Sequence, residues 1–189
     1  MTTSRLEAFS DGVLAIIITI MVLGMPLPKG VEWASLKPIL PNFIGYLLSF
    51  VYVGIYWNNH HHMMNLAEKV NGKTLWYNLH LLFWLSLLPF ATGWMGENNF
   101  DGITVIFYGI ILLMSAVAWL ILARGLGKVQ ENEKIRQAYG KDGKTKLSIL
   151  VYLVGIVVSF FNARIGLAFF YLVAFLWIIP DLRVEKIAK

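Results

Sequence analysis

Few side chains in this sequence could do chemistry, and most of them lie in two short stretches. In the first, Asn58 and Asn59 precede His60, His61 and His62, with Asn78 and His80 further on. Imidazoles bind metals and carry protons near neutral pH. Consecutive residues of a helix point about 100° apart, so the triplet cannot converge on one ion from a single helix. The chain has 0 Cys and no His-Glu-x-x-His spacing to complete a metal site. The run reads as polar residues closing an apolar segment. Polar groups at membrane depth seek partners, which makes a network with Asn58, Asn78 and His80 the natural use for it. No nucleophile–base pair accompanies it, so no catalytic residue, metal or cofactor is expected. Gly140-Lys141-Asp142-Gly143-Lys144-Thr145 has two residues between its glycines where a phosphate loop needs four, and reads as a charged turn.

The second stretch is N-terminal. Arg5-Leu6-Glu7-Ala8-Phe9-Ser10-Asp11 runs directly into the apolar segment Gly12 to Leu23. A carboxylate this close to hydrocarbon is a functional-site candidate, with Arg5 as an obvious partner. Gly12, Ile16, Thr19 and Leu23 fall at i, i+4, i+7 and i+11, one helical stripe. On pattern alone that stripe fits a bundle core better than a pore lining.

The elements that must position these residues follow from composition. The 189 residues are 58% hydrophobic and 14% charged, with a mean hydropathy of +0.65, where soluble domains are ~45–50% apolar and ~25% charged. The absence of cysteine excludes a disulfide scaffold, and 7 Trp, 8 Tyr and 12 Phe exclude disorder. An integral membrane protein remains. Of the 16 Lys and Arg and 11 Asp and Glu, ten fall between Arg124 and Lys146. The uncharged intervals 12–28, 38–67, 74–96, 102–123, 147–163 and 165–180 predict six helices in one domain, with spans near 4–25, 37–58, 74–95, 102–124, 147–162 and 165–180. The last two are short and form a tight hairpin about Asn162-Ala163-Arg164. A kink is expected at Pro89, which removes a helix hydrogen bond, and a short polar helix near Val129–Ala138.

With six spans, Lys29, Lys37 and Arg164 lie on one side and the other 13 of the 16 basic residues lie with both termini. The positive-inside rule then places both termini in the cytoplasm, in the cell (inner) membrane. The net charge of +5 is accounted for by this asymmetry, so nucleic acid is not implied. A cleaved signal peptide fits poorly, because Asp11 abuts the apolar core and no small-x-small site follows it.

Arg5-x-x-x-Phe9-Ser10-Asp11 on a first membrane helix resembles the signature of the transmembrane protein 175 family. These are potassium channels of endosomes and lysosomes with shorter bacterial relatives. Tyr56-Trp57 followed by His60 and His61 resembles the end of the family's second helix, and Leu87-Leu88-Pro89-Phe90 its third. The likeness covers essentially the whole chain. It implies an all-α, six-helix potassium-channel fold without the usual pore loop, and no Thr-Val-Gly-Tyr-Gly occurs here. It implies a homotetramer in the lipid bilayer, its first helices lining a pore for K+ and other monovalent cations. Apolar rings then carry over onto Ile16 and Leu23, with Ile20 as a further contributor, and a hydroxyl ring onto Thr19. Arg5, Phe9, Ser10 and Asp11 would join Trp57, His60, His61 and Asn78 in a network locking the helices at the cytoplasmic side.

Four copies of one helix around an axis turn each stripe residue into a ring. A narrow apolar ring can gate by expelling water, and threonine hydroxyls can coordinate a partly dehydrated ion. With no anionic ring in the stripe, moderate selectivity for potassium is expected. The alternative is a proton pathway or secondary transporter using Asp11 and the histidines as relays. Against a transporter, the chain shows no internal repeat and no evident pair of broken helices.

Overall fold

The computed structural model describes residues 3–67, 70–129 and 143–178, and these residues are all-helical, without a strand. Helix α1 is Thr3–Leu23. After a 3-10 segment, Trp33–Ile39, α2 runs from Leu40 to Leu66 with Pro41 in its first turn, where a missing N–H costs nothing. The third apolar stretch is two helices, α3 (Gly72–Ser86) and α4 (Leu88–Glu97). Helix α5 is Gly102–Val129, α6 is Gly143–Ser159 and α7 is Ala163–Ile178.

Local signals account for the boundaries. Asn71 caps α3, its side-chain oxygen accepting from the Thr74 N–H at 3.0 Å. Asn162 caps α7 in the same way, accepting from the N–H groups of Arg164 and Ile165 at 3.1 and 3.2 Å. The expected hairpin therefore turns over three residues, 160–162. Helix α4 ends in paired bonds, Phe100 N–H to Met95 O at 2.9 Å and Asn99 N–H to Gly96 O at 3.2 Å. Asn99, at φ 49°, supplies the left-handed residue that such a C-terminus requires. Pro89 acts as expected but earlier in the chain. Because it cannot donate and crowds the preceding turn, α3 stops at Ser86 and α4 restarts at Leu88.

One boundary differs from expectation. The second helix continues past residue 58 to Leu66, carrying the histidine run inside it. The expected polar helix near Val129–Ala138 lies, apart from Val129, outside the described residues.

Helix α1 packs on α2, α3 and α4, while α5 lies between α3 and α4 on one side and α6 and α7 on the other. Phe170 of α7 is fully buried at the centre of that second group, its ring 6.2 Å from those of Tyr108 and Tyr152. Its edge fills a notch left by Gly109 and Gly155, where a Cβ on Gly155 would stand 2.7 Å from the ring. The segments Thr3–Leu23, Trp33–Leu66, Gly72–Glu97 and Gly102–Lys128 are long and apolar enough to cross a bilayer. Helices α6 and α7, with 17 and 16 residues, are shorter.

Candidate functional site

Helix α1 is apolar around most of its circumference, and packing decides its orientation. Leu6, Ser10, Leu14, Ile17 and Met21 are buried against the neighbouring helices. The stripe of Gly12, Ile16, Thr19 and Leu23, which pattern alone assigned to a bundle core, faces outward instead. Ile16 is 58% exposed, Ile20 51% and Leu23 77%. The spacing could not separate the two faces because both are apolar at helical period. Thr19 is exposed too, and its hydroxyl donates to the Ala15 carbonyl of its own helix at 2.9 Å. With its proton committed to the backbone, the oxygen presents lone pairs to the outer face and is disposed to accept a cation.

At the N-terminal end of α1 the buried face turns polar. His60 is 2% exposed rather than sitting at an interface, and its Nε2 lies 2.8 Å from Asn78 Oδ1. Asn78 Nδ2 donates to Ser10 Oγ at 2.9 Å, and Ser10 Oγ donates to the Leu6 carbonyl at 2.9 Å. Since Asn78 Oδ1 can only accept, Nε2 of His60 carries the proton. The three side chains form one directed chain, α2 to α3 to α1, that leaves His60 Nδ1 without a partner. It ties the candidate pore helix to its two neighbours.

His61, the next residue, faces differently. Its Nδ1 is 2.6 Å from Glu7 Oε1 and its Nε2 accepts from Asn65 Nδ2 at 2.9 Å. Trp57 stacks on it, ring centroids 6.5 Å apart. Glu7 and Asn65 were not singled out from sequence, although Glu7 lies in the same charged stretch as Arg5 and Asp11. His80 accepts from Trp84 Nε1 at 2.9 Å and stays outside the network. Arg5 and Phe9 are exposed and Asp11 is half-buried. Among the described residues neither Arg5 nor Asp11 has a hydrogen bond or ion pair.

A second polar cluster lies deeper and was also missed. Ser49 Oγ is 2.7 Å from Thr92 Oγ1 and 2.9 Å from Tyr108 Oη, and Thr92 donates to Met21 Sδ of α1 at 3.9 Å. Hydroxyls within apolar spans were the available signal. Among the described residues no group of three or more His, Cys, Asp or Glu side chains could hold a metal.

The geometry is therefore a bundle whose first helix is held by buried polar links on one face and presents an apolar face with one hydroxyl on the other. Known proteins share its fold and sequence. The family profile described as "Endosomal/lysosomal potassium channel TMEM175" matches residues 5–89. A potassium channel of Chryseobacterium sp. (strain P1-3) is 56% identical over 190 residues, covering 100% of this chain and 99% of that one. The endosomal/lysosomal proton channel TMEM175 of Danio rerio is 25% identical over 175 residues, 85% of this chain and 33% of its own. The crystal structure of a lysosomal potassium-selective channel TMEM175 homolog from Chamaesiphon minutus superposes with a TM-score of 0.81 at 26% identity, covering 97% of this chain and 98% of that one. Match and fold agree along the full length, and this multi-pass membrane chain belongs to the TMEM175 family of channels, not to a family of enzymes.

Proposed function

We propose that the chain assembles as a homotetramer in the cell (inner) membrane, both termini cytoplasmic, and forms a potassium-selective cation channel. Helix α1 lines the pore. The observation that carries this reading is the outward stripe of α1, on which exposed Ile16, Ile20 and Leu23 bracket Thr19 with its oxygen turned outward. Rings of Ile16, Ile20 and Leu23 form apolar necks that exclude water when narrow, and the Thr19 ring offers oxygens to an ion that has shed part of its shell. Potassium sheds hydration more readily than sodium, so weak oxygen donors favour it moderately. Relatives named potassium channels, one of them similar over its whole length, support the choice of ion.

A proton pathway is the second reading, supported by the animal relatives named proton channels. The buried relay Ser10–Asn78–His60 stays at one end of the bundle, and the stripe beyond it carries one hydroxyl and no titratable group. That arrangement suits a lock better than a proton wire.

The test is reversal potential in liposome-derived bilayers under bi-ionic potassium and sodium. Ile16→Asn should raise current by wetting the neck, and Thr19→Ala should conduct with reduced preference for potassium. A polar substitution at half-buried Ile18 should disturb packing without changing permeation. Unchanged current in Ile16→Asn together with unchanged selectivity in Thr19→Ala would remove α1 from the pore. A reversal potential that follows the proton gradient alone would favour the second reading.

A further inference from the structure

Toward the C-terminal end of α1 the bundle is hollow. A partly open cavity of about 370 Å3 lies between α1, the start of α2 and the break between α3 and α4. Small-molecule sites run ~300–1,000 Å3, so it is of that size. Its walls are mostly apolar, with Ile20 and Met21 from α1 and Pro89 and Phe90 from α4. Among the described residues that line it, none is charged. Gly93, one turn past Pro89, leaves the space unfilled, since a Cβ there would meet nothing within 4 Å.

The polar side chains that line the cavity differ in what they already bind. Thr92 is engaged by Ser49, and Ser86 Oγ donates to the Phe83 carbonyl at 2.7 Å. Asn42 and Tyr46 of α2 are free. Among the described residues neither side chain has a hydrogen-bond partner. Asn42 is only 5% exposed, and a buried polar group without a partner calls for a reason. Close packing fixes its position, because a Cβ on Gly96 would stand 2.7 Å from Asn42 Cα and 2.9 Å from its Nδ2. Asn42 and Tyr46 are spaced i, i+4 on one face of α2. Together they present a carboxamide, which both donates and accepts, and a phenol hydroxyl one turn away.

We propose that this cavity is a binding site for a neutral, flat aromatic molecule carrying a lactam or primary amide. The ligand N–H donates to Asn42 Oδ1 while its carbonyl accepts from Asn42 Nδ2, and the Tyr46 hydroxyl is left for the second lone pair of that carbonyl. Rings suit walls built from Phe90, Tyr46 and the thioethers of Met21 and Met25. The ligand is neutral because an ion entering these walls finds no counter-charge.

The experiment is isothermal titration calorimetry of the purified channel in neutral detergent. The probe is phenanthridinone, and its control is phenanthrene, the same flat ring system without the lactam. Asn42→Leu should weaken phenanthridinone about tenfold, the worth of one to two net hydrogen bonds, and leave phenanthrene within about twofold. Comparing each probe with itself across variants cancels its partition into micelles. Since the Asn42 amide has no partner to lose, that variant should melt no lower than the parent. Gly93→Leu, whose side chain enters open space, should weaken both probes without loss of fold. Phenanthrene carboxylate should not bind. Failure of phenanthridinone to bind the parent would overturn the proposal and leave the cavity to water or to a second copy of the chain. Equal weakening of both probes by Asn42→Leu would overturn it too, because shape rather than pairing was then lost. So would unchanged binding in Gly93→Leu, which places the probe elsewhere.

Discussion

Replacing Asn78 with leucine isolates the energetics of the buried relay that holds α1. Asn78 is fully buried and makes two side-chain hydrogen bonds, at 2.8 Å to His60 and 2.9 Å to Ser10. Leucine is close to asparagine in volume, so the cavity cost is small. Hydrogen bonds between membrane helices average only ~0.6 kcal/mol, because the unfolded reference state in lipid also finds partners. Two of them contribute little more than ~1 kcal/mol. The larger effect is the group left behind. His60 Nδ1 already has no partner, and Asn78→Leu orphans Nε2 as well. An unsatisfied buried donor costs ~1–3 kcal/mol, which brings the total to ~2–4 kcal/mol. Ser10 adds nothing, since its hydroxyl keeps the Leu6 carbonyl. For a chain of this size that loss lowers the melting midpoint by roughly 5–15 °C. The assay is thermal unfolding of the purified channel, repeated for His60→Leu and for the double variant. Removing both partners leaves no orphaned donor on the ring, so the double variant should be less destabilised than the sum of the singles. Strict additivity, or an Asn78→Leu protein melting with the wild type, would refute this account.

Three further outcomes test other parts of the structure. Arg5→Ala and Asp11→Ala remove charges with no hydrogen-bond or ion-pair partner among the described residues, so they should weaken assembly more than the protomer fold. Multi-angle light scattering should show smaller particles, with a loss of ~3–5 kcal/mol if these charges are buried between subunits. Glu7→Gln weakens the hydrogen bond from half-exposed His61 and should change stability by no more than ~1 kcal/mol in thermal unfolding, with little salt dependence because an imidazole whose Nε2 accepts from Asn65 is neutral. Phe170→Ala empties the notch over Gly109 and Gly155 and should cost ~3–5 kcal/mol in denaturant unfolding, with ion selectivity unaltered in whatever protein remains folded.

Much of the architecture was legible from sequence because it depends on local chemistry. Charge-free intervals of membrane length, the break forced by Pro89, the hairpin capped by Asn162 and the lack of a filter motif all act within a few residues of themselves. Ser10, His60 and Asn78 were legible as network members, Ser10 through the resemblance and His60 with Asn78 because polar side chains in apolar spans have few alternatives. Their order was not, because Asn78 could bridge Ser10 and His60 only after α1, α2 and α3 had packed together.

The facing of α1 was decided by tertiary structure alone. In a water-soluble helix, polarity marks the outside, and a hydrophobic stripe identifies the core. In lipid the outside is as apolar as the inside, so helices associate by close packing and polar links rather than by segregating hydrophobic residues. Ile16 and Ile17 are adjacent and chemically identical, yet Ile17 is buried among its neighbours and Ile16 is exposed. What separates them is the anchoring of the opposite face, through Ser10 to Asn78 and through Met21 to Thr92. The sequence by itself determined that a first apolar helix exists and carries one threonine. The packed bundle determined that this threonine and its isoleucines face away from it, because only long-range contacts between helices can choose between two apolar faces.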